Sequence, residues 1–456
     1  MLVPEGVRRV WKLLLDAGCK TYLVGGSVRD FLMGREPHDF DFATSCRPER
    51  VEEVLKRAGL PVYETGIEFG TVMTVVDGVE VEITTMRREQ YKPERGRKPY
   101  VVFTEDLIED LSRRDFTINA MAMDIDGHII DPFGGMEDLK KGVIRFVGDP
   151  QERIREDPLR CLRALRFAAK LGFRIDEESF EAIKGYWREL KRVSWERIRD
   201  EILKAAETPM FHLFAELLHE SLLDKYVMPE MEDMARVRHA PDTPYHYGET
   251  ILEHTIDVLE RLDRINAPVQ TKLCGLLHDV GKPKVAEGEV SRHFHKHEVV
   301  GAEIAEEVLR RWRLSNADIR RIVACVRWHM LPHQYADQGM SPREMARRLF
   351  AKLGPETAMD VLMIAYGDTG DERYLEALRE VQKLAESEER KPVVTGYDIM
   401  DRYQLPPGPW VGELKRALYE LQLTERVEDK EQLFKLAEER GIVREILEKY
   451  GWWRSD

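Results

Sequence analysis

"GGSVRDFLMGREPHDFDFAT", residues 25 to 44, sets a Gly-Gly turn, an arginine and two aspartates one residue apart within twenty positions. Gly25 and Gly26 allow the backbone to approach a ligand closely, and a helix opened by "SVRDFLMG" would aim free N–H groups at phosphates, with Ser27 and Arg29 on its first turn. A Gly-Gly turn before a helix is common by itself. The aspartates add weight: "DFDFAT" reads as a strand, on which Asp39 and Asp41 share one face while Phe40 and Phe42 face the core. Two adjacent carboxylates are costly unless a cation compensates them, and Mg²⁺ carrying substrate phosphates is the usual one.

Around this stretch the first 135 residues read as mixed α/β. "TYLVGG" is a short strand, and "GTVMTVVDGVEVEITTM" (70–86) is a hairpin with an Asp-Gly turn. Glu80 and Glu82 share one face of its second strand. Glu80 reads as a surface residue and Glu82 as a candidate third acid. From Leu139 onward the spacing becomes helical and stays so. Linkers are expected near 238–249 and 388–412.

The length of 456 residues and an apolar fraction of 43% predict three or four domains. No apolar run is long enough for a membrane span, and the N-terminus has no export pattern, so a cytoplasmic protein with no membrane partner is expected. Five cysteines without a CxxC pair read as unpaired thiols. Residues 140–204 carry 17 Lys and Arg against 12 Asp and Glu, a local +5 in a chain of net charge −14, which leaves −19 elsewhere. Such asymmetry suits one nucleic-acid-binding stretch on an acidic body, or merely solvated helix faces.

The opening stretch, "RRDFTINAMAMD" (113–124), "DPFGGMEDL" (131–139), "REDPLRCLRALRFAAKLGF" (155–173) and "SWERIRDEILK" (194–204) together resemble, in order, the class II tRNA nucleotidyltransferase and bacterial poly(A) polymerase family. The resemblance covers about the first 205 residues. It implies an α+β chain with a polymerase-β-like nucleotidyltransferase head (1–139), followed by all-α neck (140–238), HD (239–388) and tail (389–456) domains. It also implies template-independent addition of CCA to the tRNA 3′ end from CTP and ATP. On this reading Asp39 and Asp41 hold two Mg²⁺ and Glu82 is the third acid. Gly25, Gly26, Ser27 and Arg29 hold the triphosphate. Arg114 and Asp115 meet the ribose, Asn119 fixes their turn, and Arg163 completes the nucleotide site. Arg166 and Arg174 meet RNA phosphates.

Asp157 and Arg160, three apart on one helix, would pair an acceptor and a donor with the amino group and ring nitrogen of cytosine or adenine; uracil and guanine offer the opposite pattern. The alternative is an ordinary helix ion pair. Addition of CC only or A only, poly(A) synthesis, and an HD phosphohydrolase with an RNA-binding head are the competing activities. The length of the 87–111 segment favours CCA or A addition, whereas "PERGRKP" (93–99) departs from the family's acid-x-basic-basic run.

A second constellation follows: His254, the pair His278-Asp279, His297, His329 and Asp368. Their order resembles the HD superfamily of metal-dependent phosphohydrolases, which implies a divalent cation (Mn, Ni, Fe or Mg) on His254, His278, Asp279 and Asp368, with His297 and His329 as further candidates. Asp371 competes with Asp368 for the last place, and His293 and His295 read as surface residues. The tail is expected to support tRNA, and the oligomeric state is left open.

Overall fold

A computed structural model describes residues 3–37, 39–63, 70–90, 100–241, 249–387 and 391–453. "PERGRKP" (93–99) and most of the 238–249 linker lie outside the described residues. By its internal contacts the chain divides into two compact units, residues 1–205 with 217–227, and residues 206–216 with 228–456.

The first unit is built on a mixed sheet. In chain order its strands are β1 (Thr21–Val24), β2 (Phe40–Thr44), β3 (Thr71–Val76) and β4 (Val79–Thr85). A separate two-stranded ribbon, β5 (Arg87–Gln90) and β6 (Tyr100–Phe103), precedes β7 (Ala122–Met123) and β8 (Ile129–Ile130). The sheet order is β3-β4-β2-β1-β7-β8, and β2 runs parallel to β4 while the other pairs are antiparallel. Asp77 and Gly78 both have positive φ, as the tight β3–β4 turn requires. On one sheet face Phe40 and Phe42 bury against Trp11, Val51 and Leu55 from the helices Glu5–Asp16 and Pro48–Arg57. Alternation then leaves Asp41 on the opposite face.

The second unit is essentially helical. Its centre is formed by the helices Ile251–Arg264, Val269–Leu277, His297–Arg311, Asn316–Trp328 and Pro355–Thr369. Residues 393–450 add a cluster of their own around Trp410, Leu414, Leu418 and Phe434, tied to the helix Pro342–Leu353 where Arg347 donates to the Leu423 carbonyl. Among the described residues no helix is long and apolar enough to cross a membrane.

One expectation is corrected. Four of the five cysteines are paired, Cys19 with Cys46 and Cys274 with Cys325, and only the buried Cys161 is free. The partners are 27 and 51 residues apart in sequence but 5.2 and 6.3 Å apart at Cα, so proximity comes from packing and leaves no local spacing to read.

Candidate active site

Strand β2 delivers the first group of acids. Asp39 stands exposed just before the strand, Asp41 is its second residue, and Glu82 of β4 lies directly across from Asp41 in the parallel register. Burial, then the Glu82 charge, push the Asp41 carboxyl up to about 6, with Asp39 adding to the rise and Arg114 and Arg29 opposing it. Crowded like charges of this kind are what a divalent cation relieves. Glu80, on the same strand as Glu82, is exposed.

The glycine turn is locked onto the same strand. Gly25 has φ 70° and ψ −134°, a conformation closed to other residues, and a Cβ there would stand 2.8 Å from Arg114 Nη1. Ser27 Oγ donates to the Asp39 carbonyl at 3.0 Å and accepts from the Asp41 amide at 3.2 Å. Arg29 is buried; its Nη1 donates to Asn119 Oδ1 at 2.7 Å, and Asn119 Nδ2 donates to Asp115 Oδ1 at 3.1 Å. The other Asp115 oxygen accepts from Arg163 Nε and Nη2 at 2.9 and 2.6 Å. Although burial opposes it, the Arg163 guanidinium holds the Asp115 carboxyl below its ordinary range.

Gly25, Gly26, Arg29, Asp41, Asp115 and Arg163 line a cavity of about 460 Å³ with Asp157 and Arg160, whereas Asp39, Ser27 and Glu82 are outside its lining. The expected one-helix pair is not formed. Asp157 ends the helix Pro150–Glu156 with extended dihedrals, Pro158 follows, and a new helix runs Arg160–Leu171. Asp157 pairs instead with Arg197 at 2.7 Å, while Arg160 pairs with Glu156 at 2.5 Å and donates to the carbonyls of Arg153 and Arg113. Both residues still line the cavity. Arg197, Arg113 and Lys170 also line it and were not foreseen; Arg197 lay visible in "SWERIRDE", but nothing in the sequence joined it to Asp157. Arg166 is buried, with its Nε 2.5 Å from Glu201, and in this arrangement it does not offer itself to RNA. Arg174 is exposed and outside the cavity lining.

In the second unit, helix ends converge on Asp279. His254 lies in a helix opened by a Thr250/Glu253 capping box, His278 and His329 close two others, and His297 opens a fourth. His278, His297 and His329 each set Nδ1 2.7 to 2.8 Å from a carbonyl one turn back, those of Gly275, Phe294 and Val326. That bond puts a proton on Nδ1 and turns Nε2 inward, where the Nε2 atoms of His297 and His329 meet at 3.1 Å. Asp279 Oδ2 lies 3.1 Å from His278 Nε2 and 3.8 Å from His254 Nε2, and Oδ1 lies 3.4 and 3.8 Å from His297 and His329. His254 Nε2 lies 2.7 Å from Asp368 Oδ1.

Although Lys282 Nζ is 2.7 Å from Asp279, neither Asp279 oxygen nor His278 Nε2 has an aligned hydrogen bond. Buried lone pairs left over in this way fit a cation. Two donor groups result, His254, His278 and Asp368, and Asp279, His297 and His329. Burial opposes it, yet His278 and Lys282 hold the Asp279 carboxyl well below its ordinary range; burial and the neighbouring imidazoles hold His329 far below its own. Asp371 is turned away as an N-cap, and His293 and His295 are exposed. Lys282, one turn after Asp279 in "HDVGKP", and His333, 3.1 Å from Asp368, were not foreseen.

The Poly A polymerase head domain family matches residues 21–145, the family of the probable RNA and SrmB-binding site of polymerase A matches 172–234, and the HD domain family matches 251–429. The chain is 48% identical over 200 residues to the CCA-adding enzyme of Lactobacillus helveticus, a match that spans 44% of this chain and about half (49%) of that one. To the CCA-adding enzyme of Enterococcus faecalis it is 31% identical over 397 residues, covering 87% of this chain and 86% of that one. The crystal structure of the Bacillus stearothermophilus CCA-adding enzyme in complex with CTP superposes with a TM-score of 0.68 at 27% identity, over 97% of this chain and 99% of that one. With its strand-borne acids, its glycine turn and matching relatives along nearly its whole length, the chain belongs to the CCA-adding enzyme family.

Proposed function

We propose that this protein adds C, C and A to the 3′ end of tRNA from CTP and ATP, without a nucleic-acid template. The observation that carries the reading is the single cavity joining Asp41 and the Gly25-Gly26 turn to Asp157 and Arg160. Asp39, Asp41 and Glu82 would hold the Mg²⁺ ions. When bound, such ions neutralise the pyrophosphate leaving group and lower the pKa of the attacking 3′-hydroxyl.

The chain's own groups do the positioning. The amides after Gly25 and the Arg114 guanidinium lie where a triphosphate enters, and Arg29, held by Asn119 and Asp30, adds charge behind them. Asp157 accepts from the exocyclic amine of cytosine or adenine, and Arg160 donates to the ring nitrogen. A carbonyl and a ring N–H would meet the wrong partners, so UTP and GTP are refused. Arg197, itself part of the cavity lining, holds Asp157, and Glu156 holds Arg160.

On the same reading the chain is divided into head (1–139), neck (140–238), HD (239–388) and tail (389–456) regions. The test offers tRNA ending at the discriminator base, at C or at CC with each labelled NTP singly, and sequences the products. Ordered addition of C, C and A supports the reading; runs of A overturn it.

The leftover lone pairs around Asp279 favour a second reaction, hydrolysis of small phosphoesters such as 2′,3′-cyclic phosphates, with a divalent cation (Mn, Ni, Fe or Mg) on the histidine–aspartate cluster. A phosphodiesterase assay with Mn²⁺, Ni²⁺ or Mg²⁺ compares wild type with Asp279→Ala. Equal rates in both proteins overturn it.

A further inference from the structure

We infer that His333 and Tyr374, which belong to neither donor group, form a positioning arm that holds Asp368 for cation binding; this rests on the cluster around Asp279 being a cation site. Asp368 has one partner on each oxygen. Oδ1 is 2.7 Å from His254 Nε2, and Oδ2 is 3.1 Å from His333 Nε2. On the far side of the His333 ring, Nδ1 is 3.0 Å from the hydroxyl of the buried Tyr374. The three residues come from three helices, Leu331–Asp337, Pro355–Thr369 and Glu372–Glu386.

Chemistry assigns the protons. With the Tyr374 phenol donating to Nδ1, the hydrogen of the neutral His333 ring is on Nε2, the nitrogen 3.1 Å from Asp368 Oδ2. Tyr374 thus selects the tautomer, and its ring meets that of His333 edge to face at 5.4 Å.

The arm matters because of an exclusion at His254. Its Nε2 cannot both donate to Asp368 and ligate a cation, so cation binding ends the His254–Asp368 hydrogen bond. His333 is then the partner that remains to orient the carboxylate. In the present arrangement the His333 Nε2–Asp368 contact is close but off axis, without an aligned hydrogen bond. Rotation about the terminal carboxylate torsion is soft, and it can correct this alignment as Oδ1 leaves His254. A hydrogen-bond donor behind a ligating carboxylate changes cation affinity by about 10- to 100-fold.

The experiment measures Mn²⁺ affinity by electron paramagnetic resonance on the full chain carrying Asp41→Ala, which removes the cations of the head. His333→Ala is expected to weaken binding at least tenfold, and His333→Gln, which keeps an N–H donor, to recover most of the loss. Tyr374→Phe is expected to fall between, and in the unaltered head background all three should add nucleotides as wild type does. Binding by His333→Ala as tight as its parent, or a folded His333→Gln no better than His333→Ala, overturns the arm. Asp279→Ala separates the two readings: if it binds Mn²⁺ as its parent does, the cation site itself is wrong and the arm falls with it.

Discussion

Asp41 carries a conflict that can be measured. Its carboxyl is pushed up to about 6, first by burial and next by Glu82, from an ordinary value of 3.8. A carboxylate whose folded value is raised costs stability once it ionises. The cost is absent below about pH 4, grows as pH rises toward 6, and is complete above it. Two units correspond to about 3 kcal/mol at most. Asp41→Asn should therefore abolish nucleotide addition and yet raise the urea midpoint of the cation-free protein at pH 7.5, with no gain at pH 4. Equal midpoints at both pH values would remove the conflict. At the base-selecting pair, Asp157→Ala should lower CTP-over-UTP and ATP-over-GTP selectivity by about ten- to a hundredfold, since one such pairing is worth roughly 1–3 kcal/mol. Arg160→Ala should weaken CTP and ATP together. Arg197→Ala should reproduce part of the Asp157→Ala effect, because Asp157 loses its anchor at 2.7 Å. Unchanged ratios of kcat/KM in all three would place base choice elsewhere.

Among the elements, periodicity was legible where one rule governs. Alternation in "DFDFAT" placed Phe40 and Phe42 inward, and Asp-Gly marked the hairpin turn, because strand geometry and φ preference act locally. Asp157 and Arg160 were misplaced on one helix because Pro158 acts on the residue before it, breaking a pattern that continues in hydrophobicity. The roles of Arg197, Lys170 and His333 were illegible for another reason. Each gains its role only from a neighbour on a different element. Gly281 is an element-scale control of the same kind: a Cβ there would lie 2.2 Å from the His297 carbonyl and 2.5 Å from the Gly301 amide. Gly281→Ala must push the helix His297–Arg311 off the turn bearing Asp279. Its Mn²⁺ affinity at that site should fall at least tenfold, while tRNA addition stays within about twofold of wild type.

At the scale of the whole molecule, the two acid-bearing sites belong to different compact units, and the helices that follow Leu139 up to residue 205 belong to the first of them. The cysteine ties had no herald in the sequence. They add a constraint that lives in the denatured chain. Cross-links over 27 and 51 residues remove loop-closure freedom worth about 3.5 and about 4 kcal/mol. Thiol counting in guanidinium should find one reactive cysteine, Cys161, before dithiothreitol and five after it, and unfolding midpoints should fall on reduction. The second tie has a local meaning as well. Cys274 and Cys325 each stand four residues before an imidazole of the cation cluster, His278 and His329, so the covalent link lies one helical turn behind both rings. Like the rivet of a pair of tongs, it limits how far the two jaws can open around an ion.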